Sequence, residues 1–313
     1  MLSFLMKRLG AGLVLVFAIS AVTFLLLRAT GQNVARSIVG QTATADQVAA
    51  KQEELGLNRP VLEQFGQWLA GVVRGDFGSS WYSGEAVTSA LSNRLPVTLS
   101  IVLGGLLLSA VLSVLLGAAA ATRGGWLDRF VQVAGVIGFA IPSFLVALVL
   151  ALYLGVKWQL LPATGYTALA ASPGEWFASI VMPSIALAIG AMAATAQQIR
   201  GSMVDVLRLD YIRTLKSRGI SSRSLLYKHA LRNAAPAGLT VLSLQFIAMV
   251  GGAVVVEKVF GLNGIGSLAN SAASQGDAPQ LLGVVVVMVT IVVLVNLLLD
   301  VALGWLNPKV RVQ

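Results

Sequence analysis

Residues that could carry out catalysis are few in this sequence. The chain has one histidine, His229, and no cysteine. This composition excludes a disulfide framework, a thiolate metal site and a cysteine nucleophile, and one histidine is too few for an intramembrane zinc protease. The Gly-x-x-x-x-Gly-Lys-[Ser/Thr] pattern of ATP-hydrolysing proteins does not occur. We therefore expect this chain to be no enzyme and to hold no metal or cofactor.

The polar residues inside the long apolar segments are uncharged. Ion-coupled carriers usually hold ionisable residues near the middle of the membrane, whereas the candidates here for lining a pathway are Ser143, Ser243, Gln245 and Asn296. Glu257 lies near the end of such a segment, where we expect it to anchor the chain at the membrane interface. An ion-coupled secondary transporter is kept as an alternative function for this chain. The lack of a charged residue in the middle of the membrane disfavours it.

The strongest local pattern lies in a short basic segment at 200–235. From 201 to 218, apolar residues recur at helical spacing, which predicts a helix. Gly219 follows, where a left-handed cap would end that helix. Ser221 or Ser222 can then cap a second helix that runs to about Ala234.

This helical hairpin has two interpretations on physical grounds. An amphipathic hairpin with basic flanks could lie on anionic lipid, or it could dock onto a cytosolic partner. A helix–turn–helix that reads DNA has a similar outline, but a tether between two membrane spans argues against nucleic acid as a partner.

The composition indicates that this chain is embedded in a lipid bilayer. Of 313 residues, 57% are apolar and 11% are charged, whereas soluble domains carry about 25% charged residues. A spanning helix needs about 20 mostly apolar residues. We predict an all-α membrane protein with six transmembrane helices, at 9–27, 97–121, 131–156, 177–196, 238–256 and 281–301.

Basic residues predict the orientation of these spans. Lys7 and Arg8 precede a first apolar run that is too long for a signal peptide, so we expect a retained helix. With that end inside, most lysines and arginines fall on the cytoplasmic side, which favours both termini in the cytoplasm. The predicted organisation is a first helix (1–29), an extracytoplasmic segment with helical pieces at 45–55 and 60–73 (30–95), a membrane core that includes the cytoplasmic segment (96–302) and a tail (303–313).

The whole chain resembles one family. Asp210-Tyr211-Ile212-Arg213-Thr214, then Lys216, Gly219 and His229-Ala230-Leu231-Arg232-Asn233-Ala234, are similar to the coupling loop of bacterial ATP-driven dipeptide and oligopeptide importer permeases. Glu54-Leu55-Gly56-Leu57-Asn58-Arg59-Pro60, Arg74-Gly75-Asp76-Phe77-Gly78 and Gly251-Gly252-Ala253 resemble further parts of these permeases, in the same order. The long segment after the first span resembles the B-type subunit of the permease pair.

The resemblance implies a fold and a set of partners. The fold would be that of a type I ABC importer permease. The partners would be a second homologous permease, one or two cytosolic ATP-binding subunits, which would hold the ATP and magnesium, and an extracytoplasmic substrate-binding protein, all in or at the bacterial cytoplasmic membrane. Docking to the ATPase would involve Asp210, Tyr211, Ile212, Arg213, Thr214, Leu215, Lys216, Gly219, His229, Arg232 and Asn233.

The sequence departs from the family pattern at two positions. Leu215 stands where the general importer loop has a small residue, and Pro236 lies about one residue early. Both departures concern details of the docking contact. Peptides are the expected substrate class, and nickel chelates, glutathione and sugars are the alternatives among relatives of this pattern.

Overall fold

The described part of the chain is helical. The computed structural model describes residues 2–29 and 34–306, and these form helices and turns with one isolated bridge between Ser79 and Ala86. The all-α prediction is confirmed. The helices are α1 (Leu2–Ala29), α2 (Val34–Val39), α3 (Ala45–Glu54), α4 (Val61–Val73), α5 (Val87–Arg123), α6 (Gly125–Ala140), α7 (Ser143–Leu150, continued by a π-helical turn, Ala151–Lys157), α8 (Pro173–Leu207), α9 (Asp210–Ser217), α10 (Ser222–Ser224, continued by a π-helical turn, Leu225–Leu231), α11 (Arg232–Val259), α12 (Ile265–Gln275) and α13 (Ala278–Leu306).

The helices that could cross a membrane match the apolar segments of the sequence. Among the described residues, five helices are long and apolar enough, and a bent pair raises the number to six if it counts as one span. The prediction of six spans therefore agrees with the upper number. The five are Met6–Ala29, Val87–Arg123, Pro173–Leu207, Ser222–Val259 and Ala278–Trp305.

The third predicted span, at 131–156, is broken at Pro142. The helices on the two sides of the break meet at 95°. Ile141 between them is extended, with φ −81° and ψ 120°, because the ring of the following proline disfavours the helical conformation. Pro183 lies inside α8 without ending it. The sequence predicted one span over 131–156, and the structure instead has two helices with a sharp break.

Contacts divide the chain into two compact units, of which the first is built on Leu99–Leu262 with the end of α13. Within it, α8 packs mainly against α11, α6 and α7. Two glycines of α5 approach α8 closely: a methyl group on Gly117 would lie 2.7 Å from the Ala196 carbonyl oxygen, and one on Gly104 would lie 2.6 Å from Ser184 Oγ. Small residues thus permit close packing where no hydrophobic effect drives helix association.

The second unit consists of Met6–Thr98 and Asn263–Val293. Its apolar cluster joins the start of α5 to α12 and α13. The Thr98 hydroxyl oxygen accepts a hydrogen bond from the backbone N–H of Ile265 at 2.8 Å, which satisfies a free amide at the start of α12. The buried members of the cluster are Val87, Ala90, Leu91, Ile265, Leu268 and Val284.

The helical pieces predicted at 45–55 and 60–73 correspond to α3 and α4. A capping box starts α3, since Thr44 Oγ1 accepts from the Gln47 backbone N–H and the Gln47 side chain accepts from the Thr44 N–H. The short helix α2 was not predicted, because six residues are too few for a clear helical period.

Candidate functional site

The first helix of the hairpin at 200–235 differs from the predicted one. Instead of one helix over 201–218, α8 continues to Leu207 and α9 begins at Asp210. The amides of Arg208 and Leu209 each bond three residues back, at 3.2 and 3.1 Å, which ends α8. Leu209 is extended (ψ 144°) and turns the chain into α9. The break was not visible in the sequence, because the helical spacing of apolar residues continues on both sides of Leu209.

The end of α9 was predicted correctly. Gly219 has φ +79°, a conformation that favours glycine. Its N–H donates to the Lys216 carbonyl at 3.1 Å, and the Ile220 N–H donates to the Leu215 carbonyl at 3.3 Å. These two bonds form a Schellman motif, which satisfies the last carbonyls of the helix.

The second arm of the hairpin begins as predicted but does not end near Ala234. Ser221 is the N-cap residue, and its Oγ accepts from the Ser224 N–H at 3.4 Å. The helix then runs without a break through Pro236, as one 38-residue helix over Ser222–Val259. No residue between Gly219 and Gly261 has the left-handed conformation that would end it. The second arm and the fifth span are therefore one rod, which we call the long helix.

The helix α9 has one buried residue and one half-buried residue, and its other residues are exposed. Ile212 is buried at 5% exposure, while Asp210 and Arg213 are exposed and pair with each other at 3.5 Å. A surface pair of this kind contributes little to stability. Lys216 lies one turn after Ile212 and is also exposed. The exposed side of α9 is thus polar and free of the contacts that stabilise the hairpin.

Three of the predicted docking residues meet between the two arms of the hairpin. Asn233 Nδ2 donates to Tyr211 Oη at 2.9 Å and to the His229 carbonyl oxygen at 2.9 Å. This contact joins α9 directly to the long helix. Arg232 is exposed beside it.

A buried cluster of four residues joins the two helices that carry the hairpin. Ile199 and Met203 on α8 pack with Ala230 and Ala234 on the long helix. All four are at most 2% exposed. Two small alanines allow the helices to approach closely, so the long helix and α8 are held together directly behind α9.

An ion pair between α6 and α8 was not predicted. The Arg200 guanidinium donates to both carboxylate oxygens of Asp128, with Nη2 at 2.6 Å from Oδ2 and Nε donating to Oδ1. Gln132 Nε2 also donates to Asp128, at 3.1 Å. A two-pronged contact of this kind is geometrically specific. The partners are 72 positions apart, so no local pattern could have identified them.

The structure does not gather all the candidate pathway residues on one surface. Ser243 and Gln245 are half-buried on the long helix, and two positions along a helix separate their faces by about 200°. Ser143 begins α7 and is half-buried. Asn296 on α13 has a buried Oδ1 with no partner among the described residues. Glu257 is completely buried, so the prediction that it anchors at an exposed interface was wrong.

A second polar site lies in the second unit, around Asp277. This buried carboxylate accepts from Ser80 Oγ at 2.5 Å and from the Trp81 backbone N–H at 3.3 Å. Tyr82 Oη donates to the Gln275 carbonyl at 2.6 Å. Burial raises the pKa of the Tyr82 phenol above its ordinary value. These contacts could not be predicted from the sequence, because their partners are almost 200 positions apart.

Comparison with known proteins assigns the family. The family described as "Binding-protein-dependent transport system inner membrane component" matches residues 113–312, and its N-terminal companion matches residues 1–102. The chain is 37% identical to the probable peptide ABC transporter permease protein y4tP of Sinorhizobium fredii, over 98% of this chain and 99% of that protein. It is 32% identical to a peptide transport system permease protein of Brucella abortus and 31% identical to the glutathione transport system permease protein GsiC of Escherichia coli, each over 99% of both chains. The chain therefore belongs to the inner-membrane permease components of binding-protein-dependent transport systems.

Proposed function

We propose that this chain forms half of the translocation pathway of an ATP-driven importer for di- and oligopeptides. End-to-end similarity to proteins named as peptide transport permeases carries the proposal. The relative from Escherichia coli is named for glutathione, which is itself a tripeptide. An uncharged set of mid-span polar residues suits a transporter whose energy comes from a partner rather than from an ion bound in this chain.

In this proposal α9 is the contact with a cytosolic ATPase subunit. Its exposed polar side, with Asp210 and Arg213, takes no part in holding the hairpin together, so a partner can use it without unfolding the permease. Ile212 and Tyr211 keep α9 attached to the membrane core from the opposite side. The bulky Leu215, half-buried on α9, adds to this attachment rather than to the docking contact.

Movement of α9 would reach the membrane through the long helix. Tyr211 is bonded to Asn233, and Asn233 lies on the same unbroken rod as the fifth span. A displacement imposed on α9 by closure of the ATPase pair would therefore tilt that span as a rigid body. The extended joint at Leu209 supplies the bend that such a tilt needs at the end of α8.

The remaining subunits follow from the same proposal. A second homologous permease completes the pathway, one or two ATP-binding subunits hold ATP and magnesium, and an extracytoplasmic binding protein delivers the peptide. Both termini and the hairpin lie in the cytoplasm. ATP binding would favour the outward-facing state and hydrolysis the inward-facing state, a population shift by differential binding.

The test is reconstitution of the complex from its native locus. We would purify the chain in mild detergent, identify the proteins that co-purify by mass spectrometry and measure ATP-dependent uptake of labelled peptides into proteoliposomes. The proposal predicts a second permease, one or two ATPases and uptake that needs the binding protein. A chain that purifies only with itself, or uptake driven by an ion gradient without ATP, would contradict it.

A further inference from the structure

A groove on the first unit is not used by the proposed coupling contact. Its volume is about 570 Å³, and it lies between the end of α5, α8 and the start of the long helix. Its lining is apolar apart from Thr122, Tyr227 and two arginines, and it includes no acidic residue. The arginines are Arg123 and Arg223.

The two arginines lie at the same boundary of the membrane. Arg123 is the last residue of one candidate span, Val87–Arg123, and Arg223 is the second residue of another, Ser222–Val259. Both are exposed. Neither forms an ion pair or a side-chain hydrogen bond with a residue in 2–29 or 34–306. One rim of the groove therefore carries two uncompensated positive charges at the depth of the lipid headgroups.

The walls of the groove become apolar towards the membrane interior. On α5, Ala119 and Leu115 lie one and two turns before Arg123, and on the long helix Leu226 and Leu231 follow Arg223. Eight residues of helix correspond to about 12 Å along the membrane normal. The groove thus has a cationic mouth and an apolar interior, which is the pattern that fits an anionic amphiphile.

We propose that this groove binds an anionic phospholipid, with the phosphate held by Arg123 and Arg223 and one acyl chain lying along Leu115 and Leu226. Arginine suits phosphate because its planar guanidinium presents several donors at once. A basic pocket between membrane helices is a favourable site for an anionic headgroup. The apolar wall selects a lipid over a free phosphate, because phosphate alone would leave that wall uncovered.

A lipid bound in this groove would also contact residues that support the hairpin. The groove is lined by Met203 of α8 and by Leu226 and Leu231 of the long helix, and Met203 also belongs to the buried cluster behind α9. A bound acyl chain would therefore add packing at the base of the hairpin.

The test uses the full-length chain, delipidated in detergent and studied by native mass spectrometry during titration with lipid. We expect one phosphatidylglycerol to bind at least tenfold more tightly than phosphatidylethanolamine. The double substitution Arg123→Gln with Arg223→Gln should remove this preference. The matched control, Arg129→Gln with Arg218→Gln, removes the same charge from exposed residues outside the groove and should keep it.

Further variants separate a lipid site from other causes. Ala119→Phe fills the apolar wall and leaves both arginines, so it should weaken phosphatidylglycerol binding, and Arg123→Lys should retain part of it. Glycerol phosphate, which has no acyl chain, should compete poorly. Equal binding of glycerol phosphate would show a free-phosphate site and overturn the proposal. Equal loss in the control pair would indicate diffuse charge attraction and overturn it as well, as would failure of phosphatidylglycerol to bind the delipidated chain.

Discussion

Asn233 donates a hydrogen bond through Nδ2 to the phenolic oxygen of Tyr211 at 2.9 Å. Tyr211 lies on α9, which is eight residues long, and Asn233 lies on the 38-residue long helix. This one contact therefore joins the element proposed to meet the ATPase to a helix that crosses the membrane. Docking of these two residues to the ATPase stays a prediction, and the structure adds that they bond to each other.

Removal of the Tyr211–Asn233 hydrogen bond should weaken coupling. A hydrogen bond contributes about 0.5–1.5 kcal/mol net, which corresponds to roughly a 2- to 10-fold change. We expect Tyr211→Phe to lower peptide-stimulated ATP hydrolysis by that factor while the amount of assembled complex is unchanged. Asn233→Ala should have the same effect.

The double variant controls this prediction. If the two residues act through their shared bond, the double variant should be no worse than the more affected single variant. Additive losses would mean that each residue acts separately, and the role assigned to the bond would be wrong.

Gly219→Ala should loosen the end of α9. A non-glycine residue at φ +79° is strained by roughly 1–2 kcal/mol. We expect the amides near residue 220, which form the cap, to exchange with deuterium about 5- to 30-fold faster. Gly201→Ala is the matched control, because Gly201 lies inside α8 and an added methyl group meets nothing within 4 Å. Faster exchange in both variants would show that the backbone conformation of Gly219 is not the cause.

The Arg200–Asp128 ion pair should stabilise the packing of α6 on α8. The guanidinium donates to both carboxylate oxygens, and this two-pronged geometry holds the two side chains in one relative position. We expect Asp128→Asn to lower the thermal unfolding midpoint of the purified complex and Asp205→Asn, at an exposed acid on the same helix as Arg200, to leave it unchanged. An unchanged midpoint for Asp128→Asn would mean that the pair contributes no net stability.

Asp277 should hold the loop that contains Ser80 and Trp81. Replacement by alanine removes an acceptor from two donors, and an unsatisfied buried donor costs about 1–3 kcal/mol. We expect Asp277→Ala to increase deuterium exchange at residues 80–84, and Ser80→Ala to do so less strongly. Glu85→Gln, an exposed acid beside this loop, serves as the control. Unaltered exchange in Asp277→Ala would show that the loop is held by its apolar contacts alone.

The membrane helices and the local caps were predictable from sequence. Apolar length identified the spans, and Gly219 and Ser221 could be placed because a cap depends on a few neighbouring residues. The break at Leu209 was missed because apolar residues continue through it. The degree of bending at Pro142 was equally hidden, since Pro183 and Pro236 occur inside helices that stay whole.

Pairs that depend on the packing of distant segments could not be predicted. Arg200 and Asp128, and likewise Ser80 and Asp277, are common polar residues without a local motif. The burial of Glu257 could not be predicted for the same reason. Its position near the end of a helix is visible in the sequence, but the segments that cover it are not.

The central claim is that the exposed side of α9 contacts an ATP-binding subunit. The most direct measurement is photo-crosslinking in native membranes, with benzoylphenylalanine at Arg213 and a control at Glu63, an exposed residue of α4 in the second unit. We expect an adduct between Arg213→benzoylphenylalanine and an ATP-binding protein, identified by mass spectrometry, and no such adduct from the control. If position 213 gives no adduct with such a protein, or the control gives an equal one, the coupling role of α9 is contradicted.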